Sequence, residues 1–213
     1  MKFLRNHWYD LGGFFALFLI VILLLNGQNM SFYQLLMCLS LLSLFLHQLE
    51  EYRIVGTFPG MVNMMMFKSQ KPDRYPLNAQ SAVFVNVFMG WTTYFLAIVF
   101  AEKAIWLGMA TILISTGNII AHSFIFNIKG KTFYNAGMAT SVLLFLPLSI
   151  MFFYIIHTEH LVQASDYFIG ILLGILLNYA GVIKIIMWLK EENSPYHFPK
   201  RCLLKEEKTN HYT

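Results

Sequence analysis

Two histidines and two carboxylates stand in a chain that is otherwise rich in apolar runs. Leu46-His47-Gln48-Leu49-Glu50-Glu51-Tyr52-Arg53 puts His47 three residues before Glu50 and four before Glu51. On a helix those three side chains share one face, and Ser40 and Ser43 extend the stripe. A second stripe, Thr111, Ser115, Asn118 and His122, advances by four, three and four residues and also forms a single face. Imidazole nitrogen and carboxylate oxygen are ligands that Zn and Fe accept, and a His2Glu set leaves one position open for water or substrate. His47, Glu50, Glu51 and His122 are therefore the expected ligands of a divalent metal, Zn or Fe. Without a metal, adjacent Glu50 and Glu51 in a low dielectric would divide into one acid and one base. Glu50, Glu51 and Asn118 are the residues expected to carry catalysis. A serine nucleophile, Ser43 or Ser115 beside a histidine, is less favoured because no nucleophile-elbow glycine pattern is present.

The elements that must position these groups are membrane spans. Of the 213 residues 57% are apolar and 12% charged, half the charge of an ordinary soluble domain, which excludes a water-soluble fold and intrinsic disorder. Six stretches are long and apolar enough to cross a bilayer, about Trp8–Leu25, Phe32–Ile54, Ala82–Ala101, Ala104–Ile128, Ala136–Ile156 and Tyr167–Leu189. The expectation is an all-α polytopic membrane helix bundle over residues 1–189, followed by a polar cytoplasmic tail, 190–213. Only Glu102 and Lys103 part the third and fourth stretches, so those two form a tight hairpin. Lys2 and Arg5 precede the first stretch as in a signal peptide, but Leu25-Asn26-Gly27-Gln28 offers no small-x-small cleavage site, and the stretch reads as a retained anchor.

Charge sets the expected orientation. Lys2, Arg5, Arg53, Lys68, Lys71, Arg74, Lys129, Lys131 and five basic residues after Leu189 fall on one side, while the other has only Lys103. The positive-inside rule places both termini in the cytoplasm of a multi-pass cell-membrane protein. The net charge of +4 thus reports topology. No basic run with interleaved aromatics suggests a nucleic-acid partner. Cys38 lies in an apolar run and Cys202 in the tail, so no disulfide is expected. The segment Gly56–Asn78 reads as a mixed loop packed on the bundle, with Met64–Phe67 as a candidate interfacial stretch.

The spans place His47 about 10 Å and His122 about 8–9 Å from the cytoplasmic ends of their helices, at nearly one depth. Intramembrane ionisable groups are functional by default. The bland alternatives are buried histidines without a task, and glutamates at the interface beside Arg53. Asn86, Ser115 and Asn178 read as interhelical hydrogen-bond formers, Gly170 and Gly174 as a close helix contact, and Pro147 as a kink.

His47-Gln48-Leu49-Glu50-Glu51 resembles the signature of the HXXEE domain family of small integral membrane proteins. So does the later sequence: Asn118 to His122, then Tyr134-Asn135-Ala136-Gly137 and Thr140. The resemblance covers Ser40 to Ile150, with Ala136 where the family pattern has proline. It implies a membrane-embedded His/Glu site and no established reaction. Three classes stay open: an enzyme acting on a lipid-like substrate drawn from the membrane, a proton-coupled transporter, and a structural or regulatory membrane protein. The absence of an internal repeat weighs against transport.

Overall fold

Apolar runs that meet no water must close their backbone hydrogen bonds within themselves, and this chain does so as helices. The computed structural model describes residues 2–204, and among these there is no strand. Six long helices follow one another: α1 (Lys2–Asn26), α2 (Phe32–Ile54), α3 (residues 79–100), α4 (residues 105–130), α5 (Met138–Thr158) and α6 (Ala164–Trp188). Five helical stretches are long and apolar enough to cross a membrane, the longest being Ala79–Gly130. That stretch doubles back at Ala101, whose φ of 41° breaks the helix just before Glu102 and Lys103, so it supplies both α3 and α4. The hairpin read from the sequence is present.

Caps explain where the helices start. The Ser31 side chain accepts from the Gln34 amide ahead of α2, and Asn78 accepts from Gln80 and Ser81 ahead of α3. Asn78 therefore starts α3 earlier than hydropathy suggested. α5 starts later, because Asn135–Gly137 is spent in a turn in which Gly137 has φ +103°.

Each of α2 to α6 contains a π-helical segment in the half that holds the ionisable residues: Glu50–Ile54, Phe84–Trp91, Ala121–Ile125, Ser141–Phe145 and Leu177–Lys184. The segment in α5 leads into Pro147, which has no N–H to return to the preceding turn. Such wide turns re-aim the side chains that follow them.

The half of the bundle away from the histidines is filled by Tyr33, Leu36, Met37, Met109, Ile112, Phe152 and Ile156. α4 and α6 approach closely along Gly170 and Gly174, as expected: a Cβ at 170 would lie 2.9 Å from both Met109 Cβ and the Trp106 carbonyl. Asn178 donates across the same contact to the Leu113 carbonyl at 3.2 Å. Large apolar side chains such as Phe14, Leu24, Phe153 and Phe168 point outward, a surface suited to lipid and costly in water.

The loop between α2 and α3 differs from a plain loop. It contains helical turns at Phe58–Met61 and Val62–Met66. Asn63, fully buried, donates to the Pro72 and Leu77 carbonyls and accepts from the Leu77 amide. Residues 190–204 are likewise no free tail. Phe198 and Cys202 are buried against the bundle end with Trp8, Tyr52 and Met61. Arg201 donates to the Tyr52 carbonyl and to the Tyr9 hydroxyl. The remainder of the expected tail, 205–213, lies outside the described residues. Cys38 and Cys202 are free thiols.

Candidate metal centre

α2 and α4 bring His47, Glu51 and His122 to one point. Glu51 Oε1 stands 3.4 Å from His47 Nε2 and 3.3 Å from His122 Nε2. One ligand atom from each residue lies within 4.8 Å of the others, and all three residues are buried. The imidazole rings are perpendicular, with centroids 4.9 Å apart. Phe58 stacks on His122, and Phe145 and Phe126 pack against the two rings, so the surroundings are apolar.

The far nitrogens determine what the near ones can be. His122 Nδ1 meets Asn135 Oδ1 at 2.7 Å. The Asn135 amide nitrogen faces the His122 carbonyl at 2.7 Å, and a carbonyl only accepts, which fixes the other Asn135 atom as oxygen. His122 Nδ1 must therefore carry hydrogen, and in the neutral ring Nε2 keeps a bare lone pair. On the other ring, His47 Nδ1 lies 2.8 Å from Thr140 Oγ1, which donates its one proton to Glu50 Oε2 at 2.6 Å. Thr140 then accepts from His47 Nδ1, and in the neutral ring His47 Nε2 is bare as well. Neither Nε2 has a hydrogen-bond partner although both are buried. With both rings neutral, three acceptors face one another with no donor between them, an arrangement that a cation would satisfy.

Gly137 makes room for the two rings. A Cβ there would lie 2.7 Å from His122 Nδ1 and 2.9 Å from His47 Cε1, and closer still to His122 Cε1. The position also needs φ +103°, a backbone conformation open to glycine.

The two adjacent glutamates have different places. Glu50 is turned to the start of α5, where it accepts from the Ala139 and Thr140 amides, the Thr140 hydroxyl and Tyr134 Oη. It was expected beside Glu51 as a ligand, but its oxygens are occupied by these four donors, and the converging set is His47, Glu51 and His122. Glu50 reaches the site through Thr140. Burial, and then the bond to the Glu50 carboxylate, push the Tyr134 hydroxyl up to about 12. Asn118 donates to the Ile114 carbonyl of its own helix at 3.1 Å and lines the cavity that His47 and Glu51 also line. The orienting tasks of Asn135, Thr140 and Tyr134 were not read from the sequence, although the Tyr134-Asn135-Ala136-Gly137 turn was the signal that marked the place.

A cavity of about 110 Å³ adjoins the cluster. Its polar edge is His47, Gln48, Glu51, Tyr52, Asn86 and Asn118, and its far wall is formed by apolar residues of α3 and α6, among them Val85, Met89, Leu177 and Val182. Those four are half-buried, so the wall borders the outer surface between the two helices.

None of the curated proteins or solved structures compared with the chain matches it. The family model described as "Protein of unknown function with HXXEE motif" matches residues 38–154, more than half of the chain and all of the residues that build the cluster. The chain is a membrane-helix protein with a buried His/Glu group, and it belongs to the HXXEE family.

Proposed function

We propose that this protein is an intramembrane enzyme that uses a divalent metal, Zn or Fe, held by His47, Glu51 and His122, to act on a lipid-like substrate. One observation carries the reading: a buried carboxylate oxygen and two buried imidazole nitrogens converge, and with both rings neutral none of the three is a donor. Tetrahedral ligands at about 2.0–2.2 Å from Zn stand about 3.3–3.6 Å from one another. The separations from Glu51 Oε1, 3.4 and 3.3 Å, lie in that range. A single shared proton would join Glu51 to one histidine and leave the other opposed, so a proton relay accounts for less of the geometry.

Three protein ligands leave a coordination position for substrate or water. A metal there supplies Lewis acidity toward an oxygen of the substrate, or activates water. The residues of the chain do the rest. Asn135 and the Glu50–Thr140 pair hold each imidazole with Nε2 inward, the usual task of partners behind metal-bound histidine. Asn118, its amide nitrogen held by Ile114, lines the cavity, where its carbonyl oxygen would accept from a hydroxyl or a water. The apolar wall between α3 and α6 suits a substrate entering sideways from lipid. The basic residues Arg5, Arg53, Lys71 and Arg74 gather at the site-bearing end, which supports a site near the cytoplasmic leaflet of the cell membrane with both termini on that side.

The test is turnover. Purified protein, zinc-loaded or metal-stripped, is incubated with a total membrane lipid extract, and products are read by lipid mass spectrometry. The zinc-loaded wild type is expected to convert at least one lipid species, and metal-stripped protein and Glu51→Gln to convert none. Conversion that survives stripping would overturn the metal reading. No conversion by folded, metal-loaded wild type would favour a structural or transport role.

A further inference from the structure

Tyr52 brings to the cavity a hydroxyl proton that no described residue accepts. Trp91 Nε1 can only donate, and it gives its proton to Gln48 Oε1 at 2.7 Å, which fixes the Gln48 amide. Gln48 Nε2 then donates to Asn86 Oδ1 at 3.1 Å. The Asn86 nitrogen is left to face the Ala82 carbonyl at 2.9 Å and Tyr52 Oη at 3.4 Å. Every bond in this chain runs in one direction, and at its end Tyr52 Oη accepts. Its own proton has no acceptor among the described residues, although Tyr52 is 1% exposed. Trp8 at 4.8 Å and Phe58 at 5.6 Å pack around the ring, and Tyr52 lines the cavity with Glu51 and His47. An unpaired buried donor is costly, so a ligand that accepts its proton recovers that cost.

We propose that Tyr52 is a catalytic residue that donates its hydroxyl proton in a hydrogen bond to the substrate oxygen held at the metal position, so that the substrate is a carbonyl compound with an apolar chain. This rests on the metal reading above. A phosphoryl headgroup fits less well, because no lysine or arginine lines the cavity. The metal would supply Lewis acidity toward that oxygen, and the Tyr52 hydroxyl would add a hydrogen bond to it. The chain of the substrate lies against Val85, Met89, Leu177 and Val182.

The experiment uses the full chain in detergent, loaded with Co(II), whose visible absorption reports ligand exchange. Two probes are titrated: octanohydroxamic acid, which brings a carbonyl oxygen to the metal, and octanethiol, which binds the metal without one. Tyr52→Phe should keep its cobalt, bind the hydroxamate about tenfold more weakly, and bind the thiol within twofold of wild type. Asn86→Asp, whose carboxylate would take the Tyr52 proton, should show the same selective loss and serves if Tyr52→Phe does not fold. Unchanged hydroxamate affinity with cobalt retained overturns the role of Tyr52 and leaves the metal site standing. Equal losses for both probes overturn it too, because they mark a damaged cavity. Wild type that takes up no cobalt removes the metal reading and this one with it.

Discussion

Gly137→Ala tests whether the turn before α5 is shaped by the site it touches. The added Cβ would lie 2.7 Å from His122 Nδ1 and 2.9 Å from His47 Cε1, and ordinary contact would require shifts of about 0.5–1 Å in both rings. The substitution also forces alanine to φ +103°. Backbone strain of that kind costs about 1–3 kcal/mol, and overpacking costs about 1–3 kcal/mol more, so a destabilisation of about 2–6 kcal/mol is expected. Ring shifts of that size exceed the tolerance of about 0.5 Å for a working site. Any folded variant should therefore bind Zn at least tenfold more weakly. Thermal unfolding in detergent and competitive metal titration measure the two effects. Gly27→Ala is the control, because its Cβ would have only Leu35 Cδ1, at 3.9 Å, for a neighbour. Wild-type stability and metal affinity in Gly137→Ala would refute the packing argument.

Thr140→Val keeps the shape but removes the hydroxyl between Glu50 and His47 Nδ1; metal affinity should fall about 10–100-fold with the fold intact, as read by the same titration. Gly170→Leu should destabilise by about 1–3 kcal/mol, since its Cβ alone meets Met109 and the Trp106 carbonyl at 2.9 Å; denaturation in mixed micelles reads this. For Asp73, burial raises the carboxyl, but hydrogen bonds from Arg74 and His197 outweigh it and hold the group below its ordinary 3.8. A lowered folded-state value means that Asp73 stabilises above pH 3.8 and that this contribution is lost as pH falls through the folded value. Asp73→Asn should accordingly be less stable than wild type at pH 6, and the gap should close below about pH 4; a gap independent of pH would contradict this.

Several of these residues were legible in the sequence because they obey simple periodicities. His47 and Glu51 are four apart, and His122 ends a stripe stepping by four and three, so a common depth followed from helix rise alone. The rings indeed meet, at 4.9 Å between centroids. The small-residue contact at Gly170 and Gly174 and the turn at Glu102 and Lys103 depend on equally local signals. The division of labour between Glu50 and Glu51 was not legible. Neighbouring residues diverge by about 100° on a helix, and which one faces the histidines depends on where α5 begins and on the π-helical turn that opens at Glu50. Asn135 and Thr140 act across 13 and 93 residues of chain, and no sequence period reports such partners. Residues 190–204 look polar in sequence, yet Phe198 and Cys202 are buried by tertiary packing against Tyr52 and Trp8.

The central claim, that His47, Glu51 and His122 hold a metal, is tested most directly by elemental mass spectrometry of protein purified without chelators. Wild type should carry about one equivalent of Zn or Fe per chain. His47→Ala and Glu51→Gln should lose it while keeping a wild-type elution volume and helical circular dichroism. Protein that is folded and metal-free after dialysis against Zn and against Fe(II), or variants that retain the full equivalent, would contradict the account.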